Sequence, residues 1–315
     1  MKKRNNIIST DKSKNEPAEY RSGFVSLIGR PNVGKSTLMN LLIGEKIAIV
    51  SNRPQTTRNK IRTILKGPDY QIIFIDTPGL HEPKNKLGSY MVKSAASALS
   101  GVDIILYLVE PTPKVRPGDE SILAMLPKNA KVILVVNKAD TVKKPDILLT
   151  IDAYNQKFPF WETVPVSALT GENTSALLAA LTKNLPIGPK YFPDDMITDQ
   201  PERQIVAEIV REKALTFLQE EIPHGIAVEI VSMSKRSNGD LVDIEATLYC
   251  ERETHKSIVI GKGGAMLKKI GVSSRKDMEI LLGSPINLQL WVKVRKKWRD
   301  NDFILRDLGY GNDHF

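Results

Sequence analysis

Residues 29–36 read Gly29-Arg30-Pro31-Asn32-Val33-Gly34-Lys35-Ser36. A glycine, four variable residues and then Gly-Lys-Ser is the spacing that wraps backbone N–H groups around phosphates. An apolar run precedes it and a helical pattern follows, which is the context such a loop needs. The helix start adds partial positive charge. Gly29, Asn32, Val33, Gly34, Lys35, Ser36 and Thr37 are the expected phosphate cradle. Lys35 would reach the β- and γ-phosphates, and the Ser36 hydroxyl would hold Mg²⁺.

Three more motifs follow in order. Asp76-Thr77-Pro78-Gly79 ends an apolar run. A carboxylate there is poorly placed for packing but well placed for Mg²⁺, and the Gly79 N–H could meet a γ-phosphate. Asn137-Lys138-Ala139-Asp140 ends another run, and Ser167-Ala168-Leu169 a third. The Asp140 carboxylate can accept from both N1–H and the N2 amino group of guanine. Adenine offers neither donor and would strand a charge. Asn137, Lys138, Asp140, Ser167, Ala168 and Leu169 form the expected guanine pocket, with the Lys138 stem over the base.

Between the first two motifs lies Arg53-Pro54-Gln55-Thr56-Thr57-Arg58. A loop here would be a switch, ordered when a threonine meets Mg²⁺ beside the γ-phosphate. Thr57 is favoured over Thr56. The metal set is then Ser36, Thr57 and Asp76. The first switch includes Gln55, Thr56, Thr57 and Arg58. The second covers Asp76, Thr77, Pro78, Gly79 and Leu80 and continues to about Ser89, with Gly88 as a breaker. Leu80 cannot orient water as a glutamine would. No arginine finger is assignable, so slow intrinsic hydrolysis is expected. His81 is a second candidate for the water, against a plain solvated loop histidine.

These motifs need a rigid frame. Apolar runs at 23–28, 61–66, 70–75, 102–109 and 131–136 alternate with helical spacings. That pattern predicts an α/β domain with a mostly parallel sheet covered on both faces. The short turn Gly67-Pro68-Asp69 forces one antiparallel pair. Residues 186–201 hold four prolines and read as a stiff connector. The expected boundaries are a tail at 1–20, a first domain at 21–187, a linker at 188–201, a smaller α+β domain at 202–300 and a polar tail at 301–315 with one short amphipathic segment, FILRDLGY.

The second part predicts α-β-β-α-α-β order, with Gly261-Lys262-Gly263-Gly264 between two helices. That order and a Gly-x-x-Gly loop fit a type II KH domain, whose loop clamps single-stranded RNA by its backbone. Gly261, Lys262, Gly263, Gly264 and Lys268 are the expected RNA contacts. Charge is segregated in the same sense. Residues 201–255 hold six basic and eleven acidic residues, and residues 256–299 eleven basic and two acidic. The basic group includes Lys256, Lys269, Lys276, Lys293, Arg295, Lys296 and Lys297, an electrostatic footprint for RNA. Val259, Ile260 and Ile270 suit either base contact or core. Trp298 is a candidate to stack on a base.

The chain has 315 residues, a formal charge of +9 and one cysteine, Cys250. One cysteine excludes an intrachain disulfide framework and a multi-cysteine zinc site, and points to a reducing compartment. No uncharged apolar stretch reaches about 18 residues, and the start lacks the apolar core of a secretory signal.

GRPNVGKS, QTTRNK, DTPGLH, NKAD and VSAL together resemble the TrmE–Era–Der group of translation GTPases, and Era-type members most closely. PKYFPDDMITDQ, VIGKGG, RKDM, LWVKV and LGY extend the likeness from about residue 21 to 311. The resemblance implies a P-loop GTPase domain plus a KH domain. It implies GTP and GDP as ligands, and binding of small-subunit ribosomal RNA near its 3′ end during 30S-type subunit assembly. It further implies a monomer in the cytoplasm with peripheral inner-membrane contact. Relatives with asparagine in the P-loop can bind K⁺ against the phosphates. Asn32 would do so here, or would simply shape the loop. Two other classes are a membrane-attached signalling GTPase and a GTPase gating RNA modification. No second catalytic constellation supports the latter.

Overall fold

The structure, a computed structural model, describes residues 19–51, 53, 56–237 and 239–311. Gln55 of the first switch and the first eighteen residues lie outside the described residues.

The first domain alternates β1 (Arg21–Ile28), α1 (Lys35–Ile43), β2 (Ile61–Lys66), β3 (Tyr70–Asp76), α2 (Lys86–Ser97), β4 (Ile104–Val109), α3 (Pro117–Met125), β5 (Lys131–Val136), α4 (Lys144–Asn155), β6 (Glu162–Pro165) and α5 (Thr174–Asn184). Its six strands lie in the order β2-β3-β1-β4-β5-β6. Only β2, joined to β3 by the Gly67–Asp69 turn, runs antiparallel. β4 shows why the strands read as continuous apolar runs. Ile104, Leu106 and Leu108 pack on one face with Leu38, Met39 and Leu177. Ile105, Tyr107 and Val109 pack on the other with Ala95, Ile122 and Tyr154. Both faces are dry, so neither set of alternate positions can be polar.

The chain leaves β1 for β3 on one side and then crosses to β4 on the other. That reversal opens a crevice at the carboxyl ends of the strands, where ligands bind in such sheets. The residues after β1, β3, β4, β5 and β6 all meet there.

The connector does not hang free. The Ile64 N–H donates to the Ile197 carbonyl at 2.9 Å, and Thr63 bridges Thr198. Buried Gln71 accepts from the Tyr191 and Phe192 N–H groups and donates to the Phe192 carbonyl. The open edge of β2 is thereby covered.

The second domain runs α6 (Glu202–Phe217), β7 (Ala227–Lys235), β8 (Val242–Cys250), α7 (Glu253–Ile260), α8 (Ala265–Leu282) and β9 (Ile286–Val294). β8 pairs antiparallel with β7 and parallel with β9. The helices cover one sheet face around Val206, Val210, Ile244, Leu248, Val259 and Ile270. Cys250 is buried in that core, as are Val259 and Ile270, so these two pack rather than face a base.

Two expectations are corrected. Gly88 does not break the chain: the Asn85 side chain caps α2 by accepting from the Gly88 N–H at 2.8 Å, so Gly88 sits in the first helical turn. Within the expected tail, the amphipathic segment FILRDLGY packs on the second domain. Asn301 caps a short helix, α9 (Asp302–Asp307), and Leu305 and Tyr310 are buried. Trp298 cannot stack on a base. It is fully buried, donates from Nε1 to the Gly225 carbonyl at 2.9 Å and stacks on Tyr310.

Candidate functional site

A cleft of about 450 Å³ opens over the loop after β1, lined by Asn32, Gly34, Lys35, Ser36, Thr57, Gly79 and Lys138 among others. Gly34 turns into α1 with φ +98°, and a Cβ there would lie 2.1 Å from Asn137 Nδ2. Gly79 is equally constrained, because its Cβ would meet the Pro31 backbone at 2.7 Å. The Leu80 N–H donates to the Gly29 carbonyl at 3.2 Å, which ties the second switch to the phosphate loop. Leu80 itself is buried in the core. Asn32 has φ +65°, a conformation asparagine tolerates, and is exposed at the cleft. Val33 is buried beneath the loop, and Thr37 lines the cleft with Ser36.

Lys35 is buried, and its Nζ donates to the Gly29 and Arg30 carbonyls at 3.2 and 3.1 Å. Burial pushes its ammonium down to about 8, and the Asp76 carboxylate offsets only part of that. Asp76 is fully buried at the end of β3. Burial drives its carboxyl above the usual range, while Lys35 and the Ser36 and Thr57 hydroxyls pull the other way. Ser36 Oγ donates to Asp76 Oδ2 at 2.6 Å, and Thr57 Oγ1 does so at 3.2 Å. The two hydroxyls are 3.0 Å apart. Asp76 Oδ1 is buried and has no hydrogen-bond partner among the described residues. Two hydroxyls and one carboxylate, with one of its oxygens unpartnered among the described residues, make an all-oxygen, hard donor set that fits Mg²⁺. Thr56 turns away, its hydroxyl donating to the Arg53 carbonyl at 2.7 Å. Thr77 Oγ1 donates to the Leu27 carbonyl and fixes the strand end before Pro78. His81 places Nδ1 2.8 Å from the Gly79 carbonyl.

The base-side residues are bound to the phosphate side. Buried Asn137 donates from Nδ2 to the Val33 carbonyl at 2.8 Å and accepts the Ala168 N–H on Oδ1 at 2.9 Å. Three loops are thus joined by one side chain. Lys138 takes φ +63° and donates to Glu110 Oε1 at 2.6 Å. The Ser167 hydroxyl accepts from the Thr170 N–H, which shapes that loop. Asp140 is exposed in the short turn 139–141, and Leu169 is 81% exposed, so its side chain is not drawn in.

Glu110 lines the same cleft although no motif marks it. It follows β4, as Asp76 follows β3 and Asn137 follows β5, and that position is its only sequence signal. It pairs with Lys138, Arg116 and Arg30, and Arg30 Nε also meets buried Asp119 at 2.9 Å. Burial opposes its charge, but the Lys138 ammonium, aided by Arg116 and Arg30, holds its carboxyl below the usual range.

The second candidate surface lies at the start of α8. Gly261, Gly263 and Gly264 all have positive φ, and nothing approaches within 4 Å of the Cβ positions at the last two. Lys262 and Lys268 are exposed beside them. A groove of about 300 Å³ continues along Leu267, Lys268, Gly271, Arg275, Leu288 and Leu290. Leu267, Gly271 and Leu288 carry no signal in the sequence, because α8 and β9 residues meet only in the fold. Lys269 turns the other way, over the Phe217 ring at 4.3 Å.

A model of the 50S ribosome-binding GTPase family matches residues 24–138, and a model of the KH domain matches residues 221–299. GTPase Era of Clostridium kluyveri is 55% identical over 291 residues, covering 92% of this chain and 99% of the relative. GTPase Era of Clostridioides difficile strain 630 is 53% identical over 295 residues, covering 93% and 99%. The crystal structure of Era in complex with MgGDPNP and nucleotides 1506-1542 of 16S ribosomal RNA matches with TM-score 0.90 at 42% identity, covering 92% and 99%. An Aquifex aeolicus Era variant bound to GDP.AlF4- matches with TM-score 0.89 at 42% identity, with the same coverage.

Proposed function

The chain belongs to the Era family of GTPases, and from that premise we propose that it hydrolyses GTP while bound to small-subunit ribosomal RNA near the 3′ end. Its KH domain holds the RNA, and its nucleotide cleft sets the state in which that happens, during assembly of the small subunit. The observation that carries this reading is the meeting of Ser36, Thr57 and Asp76 Oδ2 around an unpartnered Asp76 Oδ1. Residues from three separate segments make one hard-oxygen site beside Lys35.

Mg²⁺ held by Ser36, Thr57 and Asp76 would supply charge to the β- and γ-phosphates. Lys35 adds a cation, and the N–H groups of the loop and of Gly79 add donors where negative charge develops. Asp140, Asn137 and Lys138 select and cover guanine. Water attacks the γ-phosphorus, the bond from that phosphorus to the β–γ bridging oxygen breaks, and the products are GDP and inorganic phosphate. Leu80 faces the core, so it orients no water and the intrinsic rate is slow. Asn32, at the cleft rim, is the residue we assign to a K⁺ ion that would stand in for an arginine finger.

In the KH domain, the Gly261–Gly264 loop would clamp the RNA backbone, with Lys262 and Lys268 supplying charge. The reading includes a monomeric, cytoplasmic protein. Peripheral contact with the inner membrane would run through the basic surface, since no described helix is long and apolar enough to cross a membrane.

GTP turnover in K⁺ against Na⁺, with and without a single-stranded RNA matching the small-subunit 3′ end, tests the whole reading. Stimulation by both is expected. No response to K⁺ would remove the Asn32 ion site. No response to RNA would reduce the KH domain to a tether.

A further inference from the structure

Arg58 follows Thr57 directly, yet its contacts lie in the other domain. It is 1% exposed. Its Nη1 donates to the Ile226 carbonyl at 2.7 Å and to the Tyr310 hydroxyl at 3.3 Å, and its Nη2 donates to the His224 carbonyl at 3.0 Å. The guanidinium carbon stands 5.6 Å from the Trp298 ring centroid and 5.9 Å from that of Tyr310. Those rings stack on each other at 5.9 Å. Carbonyl acceptors and aromatic faces suit a planar guanidinium and not a compact ammonium.

The seat is braced from the second switch as well. Leu87 and Met91 of α2 share one buried cluster with Trp298, Leu305 and Tyr310. The Lys86 N–H donates to Asp300, and the Lys86 ammonium pairs with Asp302. Thr57 and Arg58 therefore tie neighbouring backbone to two different places: Asp76 on one side, the 298–310 segment on the other.

We propose that Arg58 is a positioning residue for Thr57, and that Trp298 and Tyr310 are the seat that holds it there. The inference rests on the cleft being a GTP and Mg²⁺ site. With Arg58 seated, Thr57 is held at Asp76, so less ordering is needed when GTP binds. Coupling of this kind is reciprocal: whatever shifts the seat from the RNA side changes the preference for GTP by the same factor.

The test uses the full chain and fluorescent GDP and a non-hydrolysable GTP analogue in Mg²⁺. The variants are Thr57→Val, Arg58→Gln and the two together. Arg58→Lys serves as a second variant that keeps the charge should Arg58→Gln fail to fold. GDP affinity should stay within about twofold throughout, since GDP does not recruit Thr57. Affinity for the GTP analogue should fall about tenfold in each single variant, within the usual range of coupling between sites. The double variant should be no weaker than Thr57→Val, because Arg58 acts through Thr57. In the nucleotide-free protein, amide exchange over residues 56–60 should accelerate in the Arg58 variants. A silent Arg58 variant, an equal loss for GDP and the GTP analogue, losses that multiply in the double variant, or unchanged exchange would each overturn the proposal. If Thr57→Val itself leaves the GTP analogue untouched, the reading of the cleft fails instead, and the proposal with it.

Discussion

In the proposed reading Asp140 would select the base by accepting two hydrogen bonds, so its chemistry could be inverted by one atom. Asp140→Asn replaces an acceptor with a donor. GDP affinity should fall by about 100-fold, as charge-assisted bonds of roughly 1.5–3 kcal/mol are lost. Xanthosine diphosphate, with a carbonyl at position 2, should then bind better than GDP. Competition of the two diphosphates for the variant checks this, and unchanged preference for guanine would move selection elsewhere. Gly34→Ala is a different kind of lesion. Its Cβ would overlap Asn137 Nδ2, the group that bonds the Val33 carbonyl. Nucleotide affinity should drop by at least an order of magnitude, read by fluorescence titration, because the link between the phosphate and base loops is broken.

At the scale of elements, the loop opening α8 is where charge and backbone shape coincide. Lys262→Asp with Lys268→Glu should leave the melting temperature nearly unchanged, since both side chains are exposed. RNA affinity should fall, and the slope of log Kd against log salt should flatten by about 0.7 for each lost phosphate contact. The strands and this loop were readable because they are local. β4 and β5 are dry on both faces and show as unbroken apolar runs, and a glycine-rich loop announces its own backbone. What escaped the sequence is made by long-range pairing. Glu110 acquires its meaning only when β4 lies between β1 and β5. Gly88 looks like a breaker until Asn85 caps it. Trp298 in a run of cations looks like a base-stacking residue, but Arg58, 240 positions earlier, fills the space beside it. Thr56 and Thr57 have the same chemistry, and only the path of the loop decides which hydroxyl faces Asp76.

For the molecule as a whole, several arginines join the two domains, Arg53, Arg58 and Arg211 among them. His224 sits among them. Burial lowers its pKa first, and Arg58, Arg53 and Arg299 lower it further. It is therefore neutral in the folded protein at pH values where the unfolded chain, titrating near 6.5, is already charged. The unfolded state binds more protons in that window, so stability must fall as pH drops through 6.5 toward the folded value. Thermal melts between pH 7.5 and 5.5 should show this loss, and His224→Gln should flatten it. An unchanged slope would assign the acid sensitivity to other groups. Lys46 adds a second tie, pairing with Glu212 on α6 and Asp277 on α8 at 2.7 and 2.9 Å. Lys46 is half exposed, so this tie should weaken in high salt.

The connector strand along β2 has a consequence for anyone dividing the molecule. A chain ending at residue 187 would keep every nucleotide-site residue, but it would strip the cover from Thr63 and Ile64. A bare strand edge is a template for pairing with another copy. Such a fragment should self-associate, and extending it through residue 200 should restore a monodisperse species in light scattering.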